Sequence, residues 1–166
     1  MDNKTVWLYC ENDLAAVLKK KKAFAFAALV LACAGLGVCI FCAVHARDAA
    51  AMTWFKTAAS ASVLSGWGII SLRIFALAPL KAAEKHIRTM LAGETEKVAG
   101  SFFVTGDRID IRKGVSMVKV RVFGNEAISS LSLYDKKAKL FNAENALAAY
   151  TVYGFIAGYE ERNEDN

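Results

Sequence analysis

The chain holds two long apolar runs, and beyond them its pattern changes to a two-residue alternation. From Ala23 to Val44 no residue is charged or a strong side-chain hydrogen-bonder. A helix of that length rises about 33 Å, enough to cross a hydrocarbon core of about 30 Å. A second uncharged run, Thr57 to Leu72, is shorter and bracketed by Lys56 and Arg73. Long aliphatic stems let both side chains snorkel, so the pattern predicts a second membrane helix over 55–78, with Pro79 marking the membrane exit. Ala43-Val44-His45-Ala46 has the look of a cleavage site, but a signal-peptide core is only about 7–15 apolar residues, so an uncleaved anchor is expected.

Residues 1–22 read as an amphipathic segment on the inner leaflet. Asn12 or Asp13 is placed to cap a helix leading into the first span, and Trp7 and Tyr9 suit an interfacial position. After the second span, residues 79–93 form a short amphipathic linker helix. Ala83, Ile87, Met90 and Leu91 make its apolar face, with Lys81, Glu84, Lys85 and Arg88 opposite. Gly93 is a natural stop.

From about Val98 the period is two. Phe103 leads into an expected tight turn at Gly106-Asp107. Arg108 to Arg112 alternates with its isoleucines inward. Val118 to Val122 alternates with valines inward and Lys119 and Arg121 outward. Ile128 to Tyr134 is a further strand with Leu131 and Leu133 inward, and Asp135-Lys136-Lys137 turns the chain. Asn142 to Ala149 is alanine-rich and open to helix, whereas Tyr150 to Tyr159 favours one or two strands. Glu160 to Asn166 reads as a disordered acidic tail.

The stretch Phe103-Val104-Thr105-Gly106-Asp107-Arg108-Ile109-Asp110-Ile111-Arg112-Lys113-Gly114 resembles the opening hairpin of bacterial pleckstrin-homology-like domains, which also follow paired membrane helices. The remaining strands are too few for that fold, so its function is not carried over. An OB- or SH3-like barrel suits the length better.

Charge orients the chain. Of its residues 55% are hydrophobic, yet the net charge is +5. Lys19 to Lys22 precede the first span, and Arg73, Lys81, Lys85 and Arg88 follow the second, while the connection carries only Arg47 and Lys56 against Asp48. The positive-inside rule then puts both termini in the cytoplasm.

Candidate chemistry is sparse. Cys39 and Cys42 form a CxxC near the outer end of the first span, a pattern used in thiol exchange, but nothing beside them would lower a thiol pKa. Cys33 and Cys10 have no evident role, and the chain offers too few ligands for zinc. His45 and His86 read as solvated surface residues. No nucleotide loop or carboxylate pair stands out. The most functional-looking surface is basic: Arg112, Lys113, Lys119 and Arg121 on one outer sheet face, with Lys136, Lys137 and Lys139 in a neighbouring turn. Each such charge near an anionic leaflet is worth about 1 kcal/mol.

The expected architecture is an α+β membrane protein: a two-helix transmembrane hairpin followed by a small cytoplasmic antiparallel β domain, either an OB/SH3-like barrel or a sandwich. Its parts are the N-terminal segment 1–22, helix 23–44, external loop 45–54, helix 55–78, linker helix 79–93, β domain 94–160 and acidic tail 161–166. The expected role is a non-enzymatic inner-membrane anchor or adaptor, with Arg112, Lys113, Lys119, Arg121, Lys136 and Lys137 meeting the leaflet or a protein partner. Small residues Ala28, Ala32, Gly35, Ala58, Ser62 and Gly66 would pack the helices or mediate homo-oligomerisation. No catalytic residue, cofactor or metal is expected, and nucleic acid is disfavoured because the domain is tethered and Asp110 and the tail dilute the patch. The alternatives are a thiol oxidoreductase using Cys39 and Cys42, and a small pore or transporter accessory subunit.

Overall fold

The computed structural model describes residues 4–46, 51–112, 115–124 and 128–162, with backbone alone over 106–112 and at 128. The fold is α+β, and it divides into two compact units. One runs from Val17 to Lys81, and the other joins the described residues up to Ala16 to those from Ala82 onward.

The first unit is helical. Helix α1 spans Glu11–His45, and α2 spans Ala51–Ser71. A π-helical segment, Leu72–Leu77, leads from α2 into α3, Ala78–Ala92. The wider turn has a physical cause. Pro79 has no N–H to donate and its ring crowds the preceding turn, and inserting one residue per turn relieves that crowding without ending the helix. Pro79 thus sits inside a helix that is continuous over Ala51–Ala92. Both long helices are apolar and long enough to cross a membrane. Their large side chains, among them Phe26, Leu36, Leu64, Trp67 and Phe75, are exposed, which is what helices without a protein core around them require.

The second unit is built on one mixed, open seven-stranded sheet. Its strands are β1 (Lys4–Trp7), β2 (Glu96–Ala99), β3 (Ser101–Arg112), β4 (Val115–Phe123), β5 (Ile128–Tyr134), β6 (Ala146–Val152) and β7 (Phe155–Glu161). The order is β2-β6-β7-β5-β4-β3, and β1 also pairs with β7. One open sheet stands where a barrel or a sandwich was expected, and it is not wholly antiparallel: β5 and β7 are parallel, through Ser132 and Phe155. A short helix, α4 (Asp135–Ala138), follows β5 where a turn was expected.

Three further expectations are corrected, and one segment left open between helix and strand is decided. Residues 4–7 are a strand rather than part of a segment lying on the leaflet: Lys4 pairs with Glu161 and Trp7 with Gly158. Gly106-Asp107 is no hairpin turn. Strand β3 runs through it with a register shift between Thr105 and Asp110, so the extra residues stand outside the regular pairing. The alanine-rich segment from Ala146 is strand, because β-pairing on both sides overrides alanine's helix preference. Glu160 belongs to β7 and is buried, rather than starting a tail.

Alternation fills the core. Val120, Val122, Leu131 and Leu133 are buried on one face, with Phe102, Phe141, Ile156 and Tyr159. On the other face of β4, Val115 and Met117 are buried while Lys119, Arg121 and Phe123 are exposed. Helix α3 buries Ala83, His86, Ile87 and Met90, so most of the face read from its periodicity is the buried one, although Leu91 is exposed.

Candidate functional site

The basic face is built by strand register. Phe103 of β3 lies opposite Arg121 of β4, and Arg121 lies opposite Ser130 of β5. One step along, Thr105, Lys119 and Ser132 share a row, and one step the other way Ser101 faces Phe123. Directly opposed residues point to one side of a sheet, as do residues two apart. Lys119 and Arg121 thus share a face with two large exposed rings, Phe103 at 61% and Phe123 at 47% exposure. The two phenylalanines are the part that sequence reading missed. Alternation alone assigns Phe103 to a strand, but only register sets it beside Arg121.

The other basic candidates separate from this face. Lys113 lies outside the described residues, and Arg112 is described by its backbone only. Lys136 is exposed on α4. Lys137 is committed elsewhere: its ammonium donates to both carboxylate oxygens of Asp13, each at 2.8 Å. Asp13 also accepts from the backbone N–H of Cys10 at 3.0 Å, closing the first turn of α1 in the manner of a capping box. Burial pushes the Asp13 carboxyl upward, but the bonds from Lys137 and Cys10 outweigh it and hold its pKa low.

A polar cleft of about 720 Å³ lies beside Phe123, lined among others by Gly100, Gly124, Glu144 and Arg162. It carries both signs of charge, so it selects neither.

Across the sheet, the carboxylate of buried Glu160 accepts from Lys97 at 2.6 Å and from the Tyr150 hydroxyl at 2.5 Å. That bond to Glu160 raises the pKa of both partners. Trp7 packs on the Tyr150 ring, centroid to centroid 5.4 Å. The cluster joins β1, β2, β6 and β7.

His86 is not a solvated residue. It is 9% exposed, its Nε2 is hydrogen-bonded to the Tyr9 hydroxyl at 3.1 Å, and Tyr134 and Phe155 pack edge-on to it. Burial drives its pKa down to about 4, so the ring is neutral at physiological pH. The periodicity of α3 does contain this signal, because residue 86 lies beside Ala83, Ile87 and Met90 on the helix face.

Beside His86 is a cavity of about 320 Å³ between α3 and the strands, lined by Ala82, Lys85, Thr89 and Met90 of the helix and by Val115, Met117, Tyr153 and Phe155.

In the helical unit, Cys39 lies against α2: its Sγ is 3.1 Å from Ser62 Oγ. All four cysteines are free thiols, and Cys42 is buried. The proposed small-residue faces meet unevenly. A Cβ at Gly35 would lie 2.5 Å from Ser65 Oγ, so Gly35 is a true close approach, whereas one at Gly66 would meet nothing within 4 Å. Gly66 is not at the α1–α2 contact, and Gly68, against Leu31, is. Ala28, Ala32 and Ala58 are half-buried.

Among the described residues no three His, Cys, Asp or Glu side chains are grouped to hold a metal. Comparison with protein-family models, curated proteins and solved structures returns no match to this chain.

Proposed function

We propose that this protein is a non-enzymatic membrane adaptor that holds a docking domain at the cytoplasmic face and binds an acidic protein segment there. The observation that carries the reading is the exposed Phe103–Arg121 pair, extended by Phe123 and Lys119 on the same sheet face. Exposed aromatics interleaved with cations that have no carboxylate partner among the described residues are the make-up of an interface centre rather than of a merely solvated surface.

Membrane anchoring is supported by two apolar helices that expose their large side chains. Both termini on one side is supported by the pairing of β1 with β7, because a strand before the first span meets one after the second. The lysines flanking the spans favour the cytoplasmic, inner-membrane side. An OB-like wrap of the sheet is part of the proposal. Strands β2 and β3 stand at opposite ends of the order yet are joined through Gly100 alone. A Cβ at Gly100 would lie 2.8 Å from the Phe123 carbonyl oxygen, the close backbone approach expected at a barrel corner.

A photo-crosslinking residue at position 103 in membranes tests the reading. A discrete protein adduct that disappears in Arg121→Glu is the expected result. Crosslinking to lipid alone, or an adduct indifferent to Arg121→Glu, would overturn it.

A further inference from the structure

We propose that the cavity between α3 and the sheet is a binding site for a small amphiphilic anion, an apolar body carrying one carboxylate-type headgroup. Its volume, about 320 Å³, is at the lower end of the range of ligand pockets. Met90, Met117, Val115 and Phe155 supply an apolar wall, and methionine adapts its shape to what it contacts. Two polar residues line the same cavity. His86 is nine-tenths buried, and only its Nε2 is engaged, by Tyr9, so the second ring nitrogen has no partner among the described residues. Lys85 lines the same cavity, is exposed, and has no carboxylate paired with it among the described residues. Its neighbour Glu84 instead accepts from Arg88 at 3.1 Å.

The sign of the ligand follows from this inventory. Among the described residues lining the cavity, the one charged side chain is a cation. Two residues along β4 from Met117, on the same strand face, comes a second exposed cation, Lys119. A cationic ligand would find no counter-charge, and a neutral one would leave Lys85 unused.

Tyr153 forms one lip. It is 82% exposed with φ of 52°, and Gly154 after it has φ of 78°. Positive φ at both central residues is the mark of a type I′ hairpin turn, a tight connection between β6 and β7 that fixes where this tyrosine stands. A bulky aromatic at that position is unusual, because asparagine and glycine tolerate the conformation better.

The test uses full-length protein in lipid nanodiscs with methyl-labelled methionine. The probe is 4-phenylbutyrate, with 4-phenylbutanol as its neutral counterpart. Saturable shifts of the Met90 and Met117 methyl signals, with Met52 unmoved, are expected. Binding should be at least about tenfold weaker for the alcohol and in Lys85→Gln, the value of a charge-assisted hydrogen bond. Thr89→Leu, which enlarges a side chain lining the cavity, should abolish the shifts while leaving the remaining spectrum folded. Absence of saturable shifts at about 10 mM acid, weaker than any specific pocket of this size, would overturn the site. Equal binding of acid and alcohol, or an unchanged affinity in Lys85→Gln, would overturn the anionic headgroup. None of these outcomes depends on the Phe103–Arg121 face, so the two proposals stand or fall separately.

Discussion

The Tyr9 hydroxyl and His86 Nε2 are 3.1 Å apart although the residues are 77 positions apart in sequence. Tyr9 precedes α1 and His86 follows α2, so this bond ties the segment ahead of the first long helix to the helix behind the second. Burial lifts the Tyr9 phenol well above its ordinary range and keeps His86 neutral. The pair is therefore a neutral hydrogen bond.

Acid should weaken the β unit through His86. Its folded pKa is about 4 against an ordinary 6.5, so the unfolded chain binds the proton first as pH falls. Stability contributed by the neutral ring is complete above pH 6.5 and is lost as pH falls from 6.5 to 4, by about 3 kcal/mol in total. Denaturant unfolding across that window should show the decline, and Tyr9→Phe with His86→Phe should flatten it. An unchanged slope in the double variant would remove His86 as the cause.

Asp13→Asn should destabilise the β unit by about 1–2 kcal/mol, since it removes a partly buried ion pair with Lys137 and a cap on Cys10. Because the folded Asp13 pKa is lowered, its contribution is present above the ordinary carboxylate range and is lost as pH falls through the folded value. Unfolding of wild type and variant should differ at pH 7, and the difference should shrink as the pH is taken down below the ordinary carboxylate range.

Glu160→Gln should cost about 1–3 kcal/mol, because a buried acceptor of two strong bonds becomes a weaker one that also brings a donor. Lys97→Gln should cost less, the ammonium being half-exposed. Thermal unfolding of the two variants side by side checks the order.

Gly158→Val should detach β1. A Cβ at Gly158 would lie 2.8 Å from the Trp7 ring and 2.9 Å from the Val6 carbonyl oxygen, and backbone cannot yield there. The Leu8 amide, which donates to Ala157 O at 3.0 Å, should then exchange its hydrogen faster, with amides of β4 unaffected.

In the helical unit, Ser62→Cys should form a disulfide with Cys39 under mild oxidation, their side-chain positions being 3.1 Å apart. Adding Gly35→Val should suppress it by wedging α1 from Ser65, and Gly66→Val should not. Equal crosslinking in both would place the helix contact elsewhere.

Much of this organisation is written along the chain. The unbroken apolar run Ala23–Val44 can only be satisfied as a helix without water, because its backbone groups pair within the segment and its side chains need no partner. The alternation around Val120 and Leu133 likewise commits those residues to a core, since a strand has one inward face whatever it pairs with. Ala83, Ile87 and Met90 announce the buried face of α3 by spacing alone.

What sequence alone left open depends on partners distant along the chain. Lys4–Trp7 has no local reason to be a strand, and the edge of β7, more than 150 residues later, makes it one. Lys137 and Lys136 are neighbours of equal composition, yet only one finds Asp13. His86 reads as surface until Tyr9 and Phe155 enclose it. Phe103 gains meaning only from standing opposite Arg121. Periodicity reports which way a side chain faces, because backbone geometry is local. It cannot report what stands there, because register, burial and ion pairing are set by contacts whose loop-closure cost only the complete fold repays.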